Sequence, residues 1–271
     1  MPAFICKTCG VQQAPSEQPP ANCAICDDER QYVGWQGQQW TTLAELAAAG
    51  CHNTLHEEEP GLTSIGAQPR FAIGQRALLV QTPAGNVLWD CISYLDDETV
   101  QAVRRLGGVQ AIAISHPHFY GSMIEWSHAF DNAPIYIPTQ DRQWVMRPDP
   151  AVRFFEEEAR EIVPSVTLLR VGGHFDGSTV LHWPAGYAGK GAIMSGDSVS
   201  VVQDRRYVSF MYSYPNLIPL SEATVRHIVE ILRPYPFERI YGAWNDQVVF
   251  VDGRDALERS AERYIQRTRE P

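Results

Sequence analysis

The sequence lacks a run of 18 apolar residues, about the length that a helix needs to cross a membrane. Residues 1–6 lack the basic start and apolar stretch of a secretory signal, so the expected location is the cytoplasm. Basic residues are scarce, with 22 Lys and Arg against 32 Asp and Glu. The resulting net charge of −10 argues against a nucleic-acid backbone as partner. A small-molecule substrate is therefore expected, with neither a membrane nor a nucleic acid as partner.

Four of the six cysteines form two C-x-x-C pairs, Cys6 with Cys9 and Cys23 with Cys26. In a chain without an export signal, this spacing favours a metal site over disulfides. The segment between the pairs is rich in Pro, Gln and Ala, so it has little hydrophobic core of its own. Modules below about 40 residues usually need a metal ion or disulfides to be stable. Residues 1–35 are thus predicted to form a four-cysteine module resembling a zinc ribbon or rubredoxin knuckle. Zinc is favoured over iron, and the expected role is structural closure or docking of a protein partner.

Residues 36–59 are predicted to be a linker that contains one short helix. Thr41 and Thr42 precede the apolar positions of this helix and Gly50 follows them, which is the usual arrangement of start and stop residues. The polar segment after Gly50, with His52, His56 and three consecutive glutamates, is expected to be a solvated loop. Residues 60–271 are predicted to form the large domain.

Two histidines, His116 and His118, follow the apolar run Ala111-Ile112-Ala113-Ile114, which is typical of a buried strand. Side chains at i and i+2 lie on the same side of an extended backbone. Pro117, between them, fixes its own φ and keeps His116 extended. The pattern predicts a stiff loop that presents two imidazoles to one point, as a metal site requires.

Two further donors lie at predicted strand edges among small residues. His174 lies in the glycine-rich turn Gly172-Gly173-His174, and Asp197 follows Ser195-Gly196 and an apolar run. Small residues at such edges allow a ligand to approach the backbone closely. His174 and Asp197 are therefore candidate partners for the first two histidines.

The order of these motifs resembles the metallo-β-lactamase superfamily over about residues 60 to 271. The family pattern is His-x-His-x-Asp-His, a Gly-His motif, an Asp after a strand and a final His, and it is matched residue by residue at His116, His118, His174 and Asp197. The resemblance implies a four-layer αββα sandwich, an α/β fold in which helices cover two packed sheets. It also implies one complete metal site.

Three positions depart from the family pattern. Tyr120 stands where the family has Asp, Gly121 where it has His, and Trp244 where the last His belongs. The family uses these missing groups as ligands of a second metal ion. The resemblance therefore implies a mononuclear centre.

Three histidines and one carboxylate suit zinc, with iron as an alternative. The leading hypothesis is hydrolysis of an ester, thioester, lactone or amide by metal-bound hydroxide. Asp197 would orient the water or accept its proton, and Tyr120 would donate a hydrogen bond to the developing oxyanion. Two alternatives stay open: a mononuclear iron oxygenase of the persulfide dioxygenase type, and a non-catalytic metal-binding sensor or docking protein.

Overall fold

The computed structural model describes residues 1–269, so the last two residues of the predicted large domain lie outside the described residues. The N-terminal module contains β1 (Ile5–Cys6) and α1 (Ala24–Asp27), and β1 pairs in antiparallel register with β2 (Trp40–Thr41) of the segment that follows. The short helix α2 (Leu43–Ala48) follows, where the sequence predicts one. Its N-cap is Thr42, whose side chain accepts a hydrogen bond from the backbone N–H of Glu45.

A seven-stranded sheet follows, with its strands in chain order from edge to edge. Its strands are β3 (His52–Glu59), β4 (Leu62–Gln68), β5 (Ala77–Val80), β6 (Val87–Trp89), β7 (Ala111–Ala113), β8 (Ile135–Pro138) and β9 (Val152–Phe155). The first four strands are antiparallel, and β6 to β9 are parallel. Strand β3 lies in residues that were predicted to be a solvated loop. That expectation is wrong, because its polar residues occupy an edge strand whose side chains are largely solvated. The division into domains stays a prediction.

The second large sheet has six strands in the order β10-β11-β12-β13-β18-β19. Its pairs are antiparallel except for β13 with β18. Two-stranded ribbons, β14 with β15 and β16 with β17, lie between β13 and β18 in the chain. The bounds are β10 (Ala159–Val163), β11 (Val166–Arg170), β12 (Thr179–Trp183), β13 (Ala192–Met194), β14 (Ser200–Val201), β15 (Val208–Ser209), β16 (Met211–Ser213), β17 (Ile218–Pro219), β18 (Arg239–Tyr241) and β19 (Val248–Val249).

The helices of the large domain are α3 (Asp97–Arg105), α4 (Met123–Ala129), the single turn α5 (Gly186–Gly189), α6 (Glu222–Leu232) and α7 (Gly253–Arg269). Two 3₁₀ segments, Pro117–Phe119 and Thr139–Trp144, complete the described elements. Asp96 and Ser221 accept backbone hydrogen bonds at the starts of α3 and α6. No helix among residues 1–269 combines the length and apolarity needed to span a bilayer.

The core is layered because the central strands are apolar on both faces. Along β5, Leu78 and Val80 pack between the two sheets, whereas Leu79 faces the layer of α3 and α4. On the second sheet, Met194 and Tyr241 meet the first sheet, and the opposite face packs against α6 and α7. Successive strand residues point to opposite faces of the sheet. A continuous apolar run therefore contributes side chains both to the core between the sheets and to the core under the helices. The predicted αββα order of layers is confirmed.

Candidate metal centre

The four predicted donors lie where ends of strands from both sheets meet. His116 and His118 follow β7 of the first sheet, His174 follows β11 of the second, and Asp197 follows β13. Thr179 of β12 joins the sheets beside them: its backbone N–H donates to the carbonyl of Ser115 at 2.8 Å. Two sheets are thus held together at the point where the loops after β7, β11 and β13 converge.

One ligand atom of each residue lies within 4.8 Å of the others. His118 Nδ1 is 3.2 Å from His174 Nε2, and Asp197 Oδ2 is 3.5 Å from His116 Nε2 and 3.9 Å from His174 Nε2. Nitrogen ligands at 2.0–2.1 Å from a tetrahedral zinc ion would lie about 3.3 Å from each other. The donor set therefore fits a single ion of this size.

The electrostatic state of the four side chains also suits a cation. Burial is the main cause that lowers the pKa of His174 to about 4 and the pKa values of His116 and His118 well below their usual range. All three imidazoles are therefore neutral at pH 7, as metal ligands must be. Burial raises the pKa of Asp197 to about 7. Nε2 of His116 and Oδ1 of Asp197 are buried without a hydrogen-bond partner, a costly arrangement that a bound cation would relieve.

A hydrogen-bond chain orients His116. Asp90, at the end of β6, accepts hydrogen bonds at Oδ1 from the backbone N–H of Ser115 at 2.7 Å and from its hydroxyl at 2.8 Å. The Ser115 oxygen then lies 2.9 Å from His116 Nδ1. Because the hydroxyl hydrogen is directed at Asp90, Ser115 accepts from the imidazole, which leaves the Nε2 lone pair facing the cluster. Asp90 therefore supports the site by fixing the orientation of His116 through Ser115.

Breaking this chain is expected to weaken metal binding. Replacing Asp90 by Ala should lower the affinity of the histidine–aspartate site about 10- to 100-fold, the usual effect of losing such a supporting group. The matched variant Asp90→Asn keeps an acceptor oxygen for Ser115 and tolerates the positive φ of 58° at this position, so its loss should be smaller. Competition with a chromogenic chelator measures both affinities. Equal affinity in Asp90→Ala and the parent would show that the chain does not orient His116.

The ribbon β16–β17 holds the other side of the cluster. His174 Nδ1 lies 3.2 Å from the carbonyl oxygen of Met211, which only accepts, so the imidazole proton is on Nδ1 and Nε2 is free to bind metal. The hydroxyl of Tyr214 donates to the carbonyl of Asp197 at 2.9 Å, and its ring centroid is 5.7 Å from that of His174. An aromatic wall thus covers this side of the site.

Gly121 and Trp244, which stand at ligand positions of the family pattern, are both closely packed. Gly121 has a φ of +49°, and a Cβ placed there would lie 2.8 Å from the carbonyl carbon and oxygen of Ile92. Trp244 packs edge-on against Phe119, with ring centroids 6.1 Å apart. Among residues 1–269, the only groups of three or more side chains that could bind one metal ion are this cluster and the four cysteines.

Gly121 is therefore expected to resist substitution. Gly121→Ala combines the cost of a left-handed backbone, about 1–2 kcal/mol, with a clash of about 1–3 kcal/mol, and should lower the free energy of unfolding by their sum. Gly50→Ala is the matched control, because Gly50 also has positive φ but has no atom within 4 Å of the added Cβ. Urea unfolding compares the two variants. Equal losses would show that the contact with Ile92 is not limiting.

The second donor cluster consists of Cys6, Cys9, Cys23 and Cys26, all buried. The sulfur of Cys6 is 3.6 Å from that of Cys26, and the sulfur of Cys9 is 3.7 Å from that of Cys23. These separations exclude disulfides, whose sulfurs are about 2.05 Å apart, and match the roughly 3.8 Å expected between thiolates on a tetrahedral zinc ion.

Sequence and structure searches place these features among known proteins. No family model matches the chain. The chain is 49% identical over 266 residues to the uncharacterized protein YmaE of Bacillus subtilis (strain 168), an alignment that covers 98% of this chain and 96% of YmaE. This chain belongs to the YmaE family.

This member of the YmaE family has the metallo-β-lactamase fold. The DIM-1 metallo-β-lactamase matches this structure with a TM-score of 0.59 at 12% identity, over 80% of this chain and 98% of DIM-1. MEM-A1, a subclass B3 metallo-β-lactamase from a soil metagenome library, matches with a TM-score of 0.51 at 18% identity, over 77% of this chain and 94% of MEM-A1. The resemblance inferred from the motifs is confirmed at the level of the fold.

Several groups around the YmaE-family centre were not expected from the sequence. Ser115 is adjacent to His116, yet a serine beside a histidine carries no distinctive signal. The Met211 carbonyl has no sequence signal at all, because every residue has one. Arg30 of the cysteine module lies 4.4 Å from the centroid of Phe175, whose ring is 5.2 Å from His174. Only the tertiary structure brings the module to this side of the cluster.

Proposed function

We propose that this protein is a metal-dependent hydrolase that cleaves an ester, thioester, lactone or amide with one metal ion. The observation that carries the proposal is the convergence of three neutral imidazoles and one carboxylate at a single point. His116, His118, His174 and Asp197 would hold the ion, and zinc is the metal that this donor set suits best. A divalent ion bound there would lower the pKa of a bound water from 15.7 to about 7 and polarise a carbonyl oxygen.

Asp197 is the residue proposed to handle the proton. Its Oδ2 faces His116 and His174, whereas its Oδ1 is buried without a partner and is free to accept a hydrogen bond from water. The Asp197 side chain is 8% exposed, against 1% for His116 and His174, so it is the least enclosed of these three side chains. Oδ1 would orient the attacking water and accept its proton.

Tyr120 stays the predicted donor to the developing oxyanion. Burial, followed by the nearby Asp141 carboxylate, raises the pKa of Tyr120 well above its usual value, so the phenol stays protonated at neutral pH. Its hydroxyl is buried and makes no hydrogen bond with the described residues. If Tyr120 donates, Tyr120→Phe should lower kcat about 100-fold or more at unchanged metal content, and an unchanged kcat would remove it from the mechanism.

A cleft of about 380 Å³ opens between the loop after β4 and the turn after β18. Its lining is rich in amides and includes Gln68, Gln75, Gln203 and Gln247, together with the indole of Trp244. Trp244 packs on Phe119, whose ring centroid is 4.2 Å from that of His116. We propose that this cleft, of a size suited to a small molecule, receives the polar part of the substrate.

The proposal is tested by metal analysis of protein purified without added metal, followed by a panel of ester, thioester, lactone and amide substrates. Two equivalents of zinc per chain and turnover of one substrate class that a chelator abolishes would support it. One iron in the core with consumption of oxygen would overturn it in favour of an oxygenase. Two zinc equivalents without turnover of any panel member would favour a metal-binding sensor or docking protein.

A further inference from the structure

The cysteine module contacts the metal centre through one ribbon, β16–β17. The carbonyl of Arg30 accepts a hydrogen bond from the Ser213 hydroxyl at 3.0 Å. The Asn216 amide donates to the carbonyls of Glu29 at 2.9 Å and Gln31 at 3.3 Å. The Tyr212 hydroxyl also donates to the Glu29 carboxylate. Four hydrogen bonds thus join residues 29–31 of the module to this ribbon.

The same ribbon orients two of the four core ligands. Its first residue, Met211, accepts from Nδ1 of His174, and Tyr214 donates to the carbonyl of Asp197. Ser213 lies between these two residues in the chain and Asn216 follows two positions later, so the contacts with the module and with the core ligands come from one short segment, residues 211–216. A shift of the ribbon would therefore move the partners of His174 and Asp197 together.

The module side of this contact has little regular structure of its own. Residues 28–31 follow the four-residue helix that contains Cys26, and no strand or helix includes them. Arg30 stacks on Tyr212 at 4.7 Å and on Phe175 at 4.4 Å, with its side chain 14% exposed. Such a short irregular segment keeps one conformation only if the residues before it are fixed. Here metal binding by Cys23 and Cys26 would fix them.

We propose that Ser213 and Asn216 are positioning residues through which the cysteine module sets the metal affinity of the histidine–aspartate site. The module then acts as a support for the centre, and occupancy of the four cysteines raises the affinity of the core site. Because linkage is reciprocal, occupancy of the core site raises the affinity of the cysteines by the same factor. The inference requires that both sites bind metal, as proposed above, but it does not depend on the reaction.

Cobalt(II) is the probe for the full-length protein, since thiolate-to-cobalt charge-transfer bands report the cysteines separately from the nitrogen and oxygen site. The double variant Ser213→Ala/Asn216→Ala leaves both ligand sets intact. We expect it to bind the first cobalt at the cysteines as the parent does, while the core site is empty, and then to bind the second about 10- to 100-fold more weakly at the core, with a changed core spectrum. Ser165→Ala, at an exposed loop serine, is the matched control and should change neither site.

A second variant, in the cysteine module itself, tests whether the module affects the metal affinity of the core site. Cys9→Ser should weaken cobalt binding at the core by a similar factor and increase hydrogen exchange in residues 211–217, while β7 stays protected. A loss of affinity at the cysteines while the core site is empty, equal to the loss at the core, would indicate general destabilisation of the Ser213/Asn216 variant and overturn the proposal, as would an unchanged core affinity. Absence of cobalt at the core of the parent protein would instead count against the proposed function, so the two failures are distinguishable.

Discussion

Replacing His116 by Ala is expected to remove the core metal and to reduce hydrolysis to the rate without protein. Four ligands on zinc contribute about 10–16 kcal/mol at pH 7, so one ligand contributes roughly 3 kcal/mol, which is more than 100-fold in affinity. The loss of affinity is expected to be larger in practice. Without a bound cation, the charge of the buried Asp197 carboxylate would be uncompensated. Metal content should fall from two equivalents per chain to one.

The control for this prediction is His128→Ala. His128 is also paired with a carboxylate, Asp149, at 3.0 Å, but its side chain is 42% exposed and it lies outside both donor clusters. This variant should keep two metal equivalents and full turnover. Retention of the core metal in His116→Ala, or its loss in His128→Ala, would refute the assignment of the ligands.

The second large effect is expected at the cysteine module. Cys6→Ser removes one of four thiolates from a module whose core is built around its sulfurs, and Ile5 and Ile25 beside them are fully buried. Since the apparent binding energy of such a site, about 10–16 kcal/mol, is folding energy for the module, residues 1–35 should lose their protection from hydrogen exchange. One metal equivalent per chain should be lost with it.

Cys51→Ala is the matched control, because Cys51 is buried and outside the four-sulfur cluster. It should keep both metal equivalents and normal exchange in residues 1–35. If Cys6→Ser kept the module protected, the metal would not be what stabilises it, and the apolar contacts of the module with the large domain would have to suffice.

The helices were the most predictable elements of the fold. The short helix predicted between Thr42 and Gly50 is observed as Leu43–Ala48, and the helices Asp97–Arg105 and Glu222–Leu232 begin at caps of the same kind. Their caps and apolar spacing are local properties, so the sequence contains them directly. Strand β3 was missed because it is polar, although it pairs with β4 in a local hairpin whose turn is Pro60 and Gly61.

The donor residues were predictable from the chain for a related reason. The identity of a ligand is a chemical property of one side chain, and His116, His118, His174, Asp197 and the four cysteines stand beside turn residues and strand ends that the sequence marks. The supporting groups were not predictable in this way. A carboxylate at a strand end, such as Asp90, does not by itself indicate a supporting group, and Met211 contributes a backbone carbonyl that any residue would provide.

The sequence by itself determined the two donor sets and the caps and apolar spacing of the helices. The tertiary structure alone decided how the cysteine module reaches the metal centre. Residues 29–31 and 211–216 are about 180 positions apart, and their contact consists of backbone carbonyls and common polar side chains. Contacts of this kind have no local signature, because they depend on where the two sheets bring distant loops.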